Sequence, residues 1–472
     1  MMHVAVRVVM IDDDGVERDV HEIARLARDR LSPETLGLSL SEAKAITGGI
    51  QQVVSRSQVE TWQAAQRTCP ECGLRRGLKG RHAIVFRTVF GVLRLAGERL
   101  RSCPCNPGPA GSVSPLSRLF PERSSPELQF VETKFASLIS YGLTVKLMSE
   151  LLPLDKSVGA EQVRRALFRV AETHESDLAE KLAGSSADAG APAATPPDGP
   201  LFVGMDGGYV RGRDKNWFEA VVGKSIVSFH RDGRPPDPSG RCFAFVQTVD
   251  AKPRTRLVDS LLKHGLAPTQ QVIFMSDGAD TLRRLQKHIA PEAEHVLDWF
   301  HVTMRLTVLK QMIKGAWADE AMVAEKHAAL EKIKWMLWHG NSSEALHDIG
   351  WMQCDVDFDL REGAESAPLR KLETTVGEFW TYINNNMAYM VNYGERFRGK
   401  ERISTGFVES AVNQVIDKRF DKRQSMRWTP KGAHLLLQTR THVLNGDLDD
   451  LLRRKYPAFR TSEKSESAPV LG

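Results

Sequence analysis

The sequence predicts a protein of the α/β class, built on a mixed sheet with helices packed against it. Three short apolar runs, at residues 201–205, 217–228 and 242–249, predict consecutive strands. After them, helical and strand patterns alternate, which together with the three strands is typical of a mixed sheet that carries helices. The alternating part is predicted as helix 255–264, strand 271–276, helix 279–289, strand 294–298 and helix 300–314.

The flanking regions carry their own patterns. Ser39 and Glu42 have nearly the spacing of a capping box at the start of a helix. The predicted elements outside the alternating part are a strand at 3–11, helices at 18–30 and 41–65, a hairpin about Gly91, helices between 126 and 180, a Trp-rich helical region at 315–395 and a helix at 404–420.

Changes in composition and Pro- or Gly-containing breaks divide the chain into segments. An Ala-, Gly- and Pro-rich run at 184–199 is the clearest linker. The predicted segments are an N-terminal strand and helices (1–66), a cysteine-rich region (67–108), a helical region (109–183), the linker (184–199), the first part of the mixed-sheet core (200–314), a helical insertion (315–400), the final core helix with a basic segment (401–446) and a tail (447–472).

Overall composition is that of a globular protein with a large core. The chain has 472 residues, of which 42% are hydrophobic and 26% charged, and this length suits two to four domains. We find no apolar stretch long enough for a membrane span and no signal-peptide pattern at the N-terminus. The sequence therefore predicts a cytoplasmic protein without a membrane partner.

Positive charge is concentrated locally, although the formal net charge is only +5. Eight Lys or Arg against one acid lie between Cys72 and Cys103, and 11 Lys or Arg against 4 Asp or Glu lie between Arg396 and Arg440. Patches of this kind suit phosphate backbones, and the alternative is a solvated surface. The DNA-binding candidates are Arg75, Arg76, Lys79, Arg81, Lys418, Arg419, Lys422, Arg423 and Arg427.

Three acidic residues indicate a catalytic site. Asp206 and Asp277 each close an apolar run and precede glycine, and Glu409 lies in a helical pattern. Two strand-end carboxylates and a helix carboxylate can hold two divalent metals about 4 Å apart, which is the arrangement that phosphodiester chemistry uses. Taken singly, an Asp-Gly after a strand is more often a turn, but the three together favour a metal-dependent site.

Two further residues fall near the same edge of the predicted sheet. Asp298 ends a predicted strand and His301 begins the next helix. A neighbouring strand end would bring both near the first two carboxylates. Taken alone, the pair would be an ordinary N-cap and a surface histidine.

Four of the six cysteines are clustered. Cys69 and Cys72 are separated by two residues, and Cys103 and Cys105 are separated by one residue. The predicted hairpin between the pairs favours a zinc ribbon with a closed four-thiolate site. The alternative is free thiols, and the short Cys-x-Cys spacing departs from the commoner knuckle.

The helices between 126 and 180 have two interpretations. A helical run that ends near Pro153 and a basic helix from Gly159 resemble a helix-turn-helix. Ordinary helical packing is the alternative interpretation.

These motifs together resemble a known group of enzymes. The order Asp206, Asp277, Glu409 resembles that of DDE transposases with an RNase H-like core. Asp298-Trp-Phe-His301 matches the Asp/Cys-x-x-His signature of the Mutator-like branch. Further segments are similar to those of ISKra-type insertion-sequence transposases: Phe407-Val-Glu409-Ser410, the runs 424–437 and 443–446, the run 32–44, the cysteine pairs, and Arg87-Thr-Val-Phe-Gly91.

The resemblance implies a transposase of a bacterial insertion sequence. It implies Mg²⁺ held by Asp206, Asp277 and Glu409, with Asp298 and His301 as active-site supports. It also implies cleavage of double-stranded DNA at terminal inverted repeats, strand transfer into target DNA, and a homodimer or larger synaptic complex. Zn²⁺ at the four cysteines and a DNA-contacting helical insertion, in which a Trp could stack on a base, are further expectations.

Two other functions remain open on the sequence. One is a domesticated or inactive sequence-specific DNA-binding protein that keeps the ribbon and the fold. The other is a structure-specific nuclease that cuts without joining, which the same core permits.

Overall fold

The structure is a computed structural model that describes residues 2–105, 111–154, 158–182, 199–227, 240–362, 366–421 and 426–460. Contacts divide the chain into two compact units, Met1–Glu172 with Gly446–Gly472, and Thr173–Asn445. The predicted linker 184–199 lies outside the described residues except for Gly199. None of the helices in the described part of the chain is long and apolar enough to cross a membrane.

The strands are β1 (Met2–Ile11), β2 (Glu17–Arg28), β3 (Leu78–Thr88), β4 (Gly91–Arg101), β5 (Ser112–Val113), β6 (Leu201–Arg211), β7 (Trp217–Ile226), β8 (Arg241–Val246), β9 (Val272–Ser276) and β10 (Glu294–Leu297).

The α-helices are α1 (Leu40–Gln66), α2 (Pro115–Leu119), α3 (Pro126–Leu138), α4 (Tyr141–Leu151), α5 (Ala160–Leu182), α6 (Pro253–Lys263), α7 (Asp280–Ile289), α8 (Trp299–Ala316), α9 (Glu320–Trp338), α10 (Ser342–Arg361), α11 (Ala367–Asn386), α12 (Tyr393–Arg398), α13 (Gly406–Val412), α14 (Pro430–Asn445) and α15 (Leu448–Lys455). A 3₁₀-helix spans Met387–Tyr389, and a π-helix spans Asn413–Asp421.

A five-stranded mixed sheet forms the core of the unit Thr173–Asn445. Its strand order is β10-β9-β6-β7-β8. The strands β6, β7 and β8 pair antiparallel, whereas β9 runs parallel to β6 and β10 runs parallel to β9. The predicted α/β class, the three consecutive strands and the alternation that follows them are confirmed, with most boundaries within a few residues.

Alternate residues of the strands bury the two faces of this sheet, as a pleated backbone requires. On one face, Leu201 and Val203 of β6 pack with Leu257 of α6 and Leu285 of α7. On the other face, Met275 and its neighbours pack with residues of α12 and α13. Where all five strands lie side by side, helices therefore cover both faces of the sheet.

The helices α8, α9, α10 and α11 have a core of their own. One apolar cluster contains buried residues of all four helices, for example Leu309 of α8, Ile333 of α9, Ile349 of α10 and Val376 of α11. The predicted helical character of 315–395 is confirmed. Three of its five tryptophans are substantially exposed, namely Trp335, Trp351 and Trp380.

In the other unit, β3, β4 and β5 form an antiparallel sheet against which α1 and α2 pack. The α1 helix begins with a complete capping box, because the Ser39 hydroxyl accepts from the Glu42 N–H and the Glu42 carboxylate accepts from the Ser39 N–H. The near-match seen in the sequence is therefore confirmed. The predicted hairpin about Gly91 is confirmed too, with longer strands than the apolar runs indicated.

The prediction of a helix at 18–30 is wrong, because this segment forms β2 and pairs antiparallel with β1. Val20, Ile23 and Leu26 recur at helical spacing, but the turn before them closes a hairpin. The Asp12 carboxylate accepts from the Asp14 and Val16 N–H groups and thereby shapes this turn. Strand pairing has overridden the local pattern.

Two other predictions in this unit need correction. The helical run before Pro153 is broken, because Ile139 is extended and Ser140 caps α4 by accepting from the Leu143 N–H. The predicted tail contains α15, whose Leu452 is buried and which packs against α3. The α15 helix is too short for its sequence to show a clear helical pattern, and only its packing against α3 identifies it as part of this unit.

Candidate active site and cysteine cluster

Asp206 lies in the middle of β6, not at its end as the sequence predicts. The ladder with β7 continues beyond it to the pair Arg211 and Trp217. Two glycines after an aspartate looked like a strand end, but pairing with β7 keeps them extended. Asp277, in contrast, directly follows β9, as predicted.

The helix that carries Glu409 lies directly on β6 because two glycines of that strand leave room for it. A β-carbon on Gly204 would lie 2.1 Å from Val408 Cγ2, and one on Gly208 would lie 2.5 Å from Ile416 Cδ1. Both distances are far shorter than real contacts, so a larger residue would force these side chains or their helix to shift. Gly204 and Gly208 therefore serve helix packing.

Close approach of this helix brings Glu409 to Asp206. Asp206 lies between Gly204 and Gly208 on the same face of β6, since alternate residues of a strand share a face. Glu409 is the next residue after Val408, which touches that face. The two carboxylates are therefore neighbours, although more than two hundred residues separate them in sequence.

The predicted helix at 404–420 is only partly α-helical. The α13 helix ends at Val412, and the chain continues as the π-helix Asn413–Asp421. Such segments are rare and are frequently found at functional sites. The π-helix keeps Val415 and Ile416 buried against the sheet unit.

Asp298 is completely buried and ties the two ends of the helical insertion together. It caps α8 by accepting from the Phe300 N–H at 2.9 Å. It also accepts from the Thr405 N–H at 3.2 Å and from the Thr405 hydroxyl. The Thr405 carbonyl in turn accepts from the Glu409 N–H, so Asp298 fixes the start of the helix that carries Glu409.

His301 lies beside this arrangement in the first turn of α8. Its Nε2 is 3.7 Å from Asp298 Oδ2, and a quarter of its side chain is exposed. Asp298, His301 and Glu409 each offer one ligand atom, and these atoms lie within 4.8 Å of one another. The N-cap role that the sequence left open for Asp298 is therefore real, and it coexists with a place in the cluster.

The carboxylates act on one another electrostatically. Burial raises the pKa of Asp206, and the charges of Asp277 and Asp298 raise it further, against the lowering effect of His301. Burial also raises the pKa of Glu409, and Asp298 and Asp206 add to the rise. Perturbed carboxylates that face one another in this way are typical of functional sites.

One carboxylate oxygen of this cluster has the environment expected of a metal ligand. Glu409 Oε1 is buried and has no hydrogen-bond partner among the described residues. Leaving such an acceptor unsatisfied costs about 1–3 kcal/mol. A divalent cation, which takes carboxylate oxygens, would satisfy it. The acidic cluster could therefore hold a metal ion.

Glu219 is a further acid near this cluster, on the opposite face of β6 from Asp206, and it is not among the predicted site residues. A β-carbon on Gly207 would lie 2.5 Å from Glu219 Oε1. Burial raises the pKa of Glu219, and the charges of Asp277 and Asp206 raise it further. Its only sequence signal is an acid in an otherwise apolar strand, because its position depends on the register of β6 and β7.

We expect Asp206→Asn to stabilise the metal-free protein near neutral pH, by about 2–4 °C in melting temperature for each kcal/mol of repulsion removed. The pKa of Asp206 is raised above its ordinary value of 3.8. The native state therefore binds the proton more tightly than the unfolded state, so the carboxylate destabilises the fold fully above the raised pKa. The destabilisation vanishes as the pH falls through that pKa.

Thermal unfolding in a chelator, near neutral pH and near pH 4, measures this effect. The gain from Asp206→Asn should shrink at the lower pH. The exposed Asp13→Asn should change neither melting temperature. A variant no more stable than wild type near neutral pH would show that the cluster is not under electrostatic strain.

The four clustered cysteines meet at the base of the β3–β4 hairpin. The Sγ atoms of Cys69 and Cys105 are 3.6 Å apart, and those of Cys72 and Cys103 are 3.0 Å apart. All four lie within 4.8 Å of one another. A tetrahedral ion with Zn–S bonds of about 2.3 Å separates its sulfurs by about 3.8 Å. The cluster therefore fits a metal, and the short Cys-x-Cys spacing does not prevent it.

The local backbone prepares these thiols for a cation. Backbone N–H groups of Cys72 and Glu71 lower the pKa of Cys69 to about 6. Side-chain hydrogen bonds to Cys103 and Cys72, which favour the protonated thiol, raise the pKa of Cys105. A bound cation would instead favour the thiolate of each cysteine.

Four DNA-binding candidates lie near the cysteine cluster, and two of them are already engaged by other groups of the protein. Arg75 and Lys79 are exposed. Arg81 lies 3.3 Å from Glu98, and Arg76 is half-buried and donates to a backbone carbonyl. Glu98 also binds a second arginine, and these ion pairs hold its pKa below the usual range.

The second basic patch requires a correction. Lys418 and Arg427 are exposed, as a DNA-binding role would need. Arg419 is completely buried, with its guanidinium 5.2 Å from the centre of the Trp428 ring. It therefore does not lie on a DNA-facing surface. Two further candidates, Lys422 and Arg423, lie outside the described residues.

Another acidic group, Glu175, Asp250 and His434, also has metal-ligand spacing. Arg256 occupies its centre, 2.8 Å from an oxygen of Glu175 and 2.8 Å from an oxygen of Asp250. Since a buried guanidinium already neutralises both acids, this group is an ion network that braces α6 and α14.

No protein-family model matches this sequence, and no curated protein matches it either. The residues of the site therefore carry the functional inference.

Proposed function

We propose that the protein is an ISKra-type DDE transposase that cleaves DNA at the terminal inverted repeats of its insertion sequence and joins the ends to target DNA. The observation that carries this proposal is the convergence of the carboxylates. Asp206, Asp277 and Glu409 come from two strands and a distant helix, yet the charge of Asp277 acts on Asp206 and the charge of Asp206 acts on Glu409. Such a cluster suits phosphodiester chemistry with hard divalent metals.

The architecture of the unit supports an RNase H-like core. Three antiparallel strands lead the sheet, and two parallel strands extend it on the side of the first strand. The helices between β10 and α13 correspond to the helical insertion that the resemblance implies, because they separate Asp298 from Glu409 in sequence and have their own core.

The side chains would divide the work as follows. Asp206, Asp277 and Glu409 would hold Mg²⁺, which when bound would supply activation of a water or 3′-hydroxyl and stabilisation of the leaving oxygen. Asp298 would position Glu409 through Thr405, and His301 lies 3.7 Å from Asp298.

We expect Thr405→Val to lower the cleavage rate by about 10–100-fold, the usual effect of losing an outer partner of a metal ligand. Valine keeps the shape but removes the hydroxyl that Asp298 binds. Thr405→Ser, which keeps the hydroxyl, should restore most of the rate. Measuring the Mg²⁺ concentration for half-maximal cleavage, alongside DNA affinity, separates positioning from general destabilisation. Equal loss in both variants would contradict the positioning role.

The cysteine cluster would be a zinc ribbon that binds DNA near the element's end. Its four thiols fit a structural site. Arg75 and Lys79 offer exposed positive charge beside it. Pairing of two ends by a homodimer or larger complex is part of the proposal, since both ends must be joined.

Cleavage of a labelled duplex that carries the terminal repeat flanking the protein's own gene tests the proposal. We expect Mg²⁺-dependent nicking at the repeat boundary by wild type and none by Asp206→Ala. Joining of the cut end to a second duplex would distinguish a transposase from a nuclease without strand transfer. Tight binding without cleavage in Mg²⁺ or Mn²⁺ would overturn the enzyme proposal in favour of a DNA-binding protein.

A further inference from the structure

We propose that the outer half of the β6–β7 hairpin binds unpaired DNA bases, with Tyr209 and Trp217 as stacking platforms and Arg211 against the phosphates. This inference rests on the proposed function, since it assigns a surface to a strand of the DNA that the protein would cut. Nothing in the sequence patterns singled out these residues.

The hairpin extends beyond the rest of its sheet. On one side, β9 pairs with β6 only as far as Gly204, whereas the pairing of β6 with β7 continues to Arg211 and Trp217. On the other side, β8 pairs with β7 only from Ala220 onwards. The outer half of the hairpin therefore has no further strand beside it among the described residues.

One face of this outer half is covered and fixed in place. Val210 is buried, and Gly208 is in contact with Ile416 of the π-helix. The backbone at Trp428 also holds the hairpin, because its carbonyl accepts from the Arg213 N–H at 3.0 Å. The hairpin is thus a rigid support and not a free loop.

The other face is bare and aromatic. Tyr209 is opposite Glu219 and Arg211 is opposite Trp217, so these four side chains share one face. Tyr209 is 64% exposed and Trp217 is 56% exposed. The apolar cluster formed with α6 and α7 covers this face of β6 only from Leu201 to Met205.

The positive charge of nearby side chains indicates an anionic partner for this aromatic face. Arg211, Arg213 and Lys215 are exposed and make no ion pair with the described residues. Exposed aromatic rings interleaved with cations are the pattern of single-strand DNA binding, in which bases stack and cations follow the backbone. Bases inside a duplex do not offer their faces, so the strand bound here must be unpaired.

The aromatic face is the reverse of the face that carries Asp206. Asp206 shares its face of β6 with Gly204 and Gly208, and Tyr209 and Arg211 alternate with these residues. The two rings therefore form a platform that is separate from the carboxylates. An unpaired flank of the DNA end is the ligand that these exposed rings and cations fit.

Binding in a chelator, where no cleavage occurs, tests the surface. The probes are two duplexes of the terminal repeat, one fully paired and one with a short single-stranded flank. We expect Trp217→Ala to weaken binding of the flanked probe by about tenfold and to leave the paired probe nearly unchanged. Trp217→Phe should retain most of the affinity.

Leu262→Ala is the matched control, because Leu262 is an equally exposed apolar residue (56%) that lies on α6, outside the hairpin and outside the helical insertion. It should bind both probes as wild type does. Arg211→Gln should reduce the salt dependence of binding by about one phosphate contact, and it does not alter an aromatic ring.

Two results would overturn the inference. One is wild-type affinity of a folded Trp217→Ala variant for the flanked probe. The other is a change in oligomeric state of that variant by light scattering, which would assign the aromatic face to a second copy of the chain. Since binding is measured without Mg²⁺, a protein that never cleaves can still show the Trp217 effect, and failure of the transposase proposal stays distinguishable.

Discussion

Replacing the carboxylate of Glu409 by an amide, Glu409→Gln, is expected to reduce Mg²⁺-dependent cleavage of the element's end by about a thousandfold. Metal stabilisation of transition-state charge amounts to several kcal/mol, and each 1.4 kcal/mol or so is a factor of ten in rate. The amide keeps the size of the side chain and removes its charge. Binding of the same DNA should be nearly unchanged, because only the metal contact is lost.

The cleavage rate and the DNA affinity are measured together. Glu401→Gln is the matched control, since Glu401 is exposed nearby and pairs only loosely, at 3.5 Å, with Arg396. The control should cleave as wild type does. The buried Oε1 that has no partner among the described residues gives a second readout. Addition of Mg²⁺ should raise the melting temperature of wild type more than that of Glu409→Gln.

Loss of DNA binding by Glu409→Gln would contradict this account. It would show that Glu409 supports the fold between α13 and β6. Unchanged cleavage would remove Glu409 from the catalytic set and leave Asp298 and His301 as the ligands of the cluster.

Cys69→Ser is expected to abolish zinc binding and to weaken binding of the element's end. In zinc-finger peptides, a structural zinc site contributes about 10–16 kcal/mol to folding. Cys69 is buried within the cluster, and backbone N–H groups already favour its thiolate. Serine offers no thiolate, so the remaining three ligands cannot close the tetrahedron.

Zinc content by mass spectrometry and end binding by anisotropy check this expectation. Cys354→Ser is the matched control, because Cys354 is an exposed cysteine on α10, outside the cluster. It should keep wild-type zinc and wild-type affinity. If Cys69→Ser retained the full metal content, the zinc ribbon would have to be abandoned.

Much of the core unit was predictable because its strands and helices have strong periodic patterns. Apolar runs located β6 through β10 and the helices between them, since burial of both sheet faces requires continuous apolar residues. The positions of Asp277 and Asp298 at strand ends followed from the same patterns. The cysteine cluster followed from spacing alone.

The errors come from contacts between segments that are distant in sequence or from pairing that overrides a local pattern. β2 has helical spacing, but it becomes a strand through its pairing with β1. Asp206 is within a strand because β7 extends the ladder past it. Arg419 belongs to a basic run, yet packing against Trp428 buries it.

The sequence by itself determined the element types of the core, the four clustered cysteines and the acidic residues that a metal site needs, because these depend on local periodicity, spacing and side-chain chemistry. Only the tertiary structure decided which acids meet. The approach of the Glu409 helix to β6 depends on Gly204 and Gly208, and the exposure of Trp217 depends on strand register. Register and helix packing arise from long-range contacts, which no local pattern encodes.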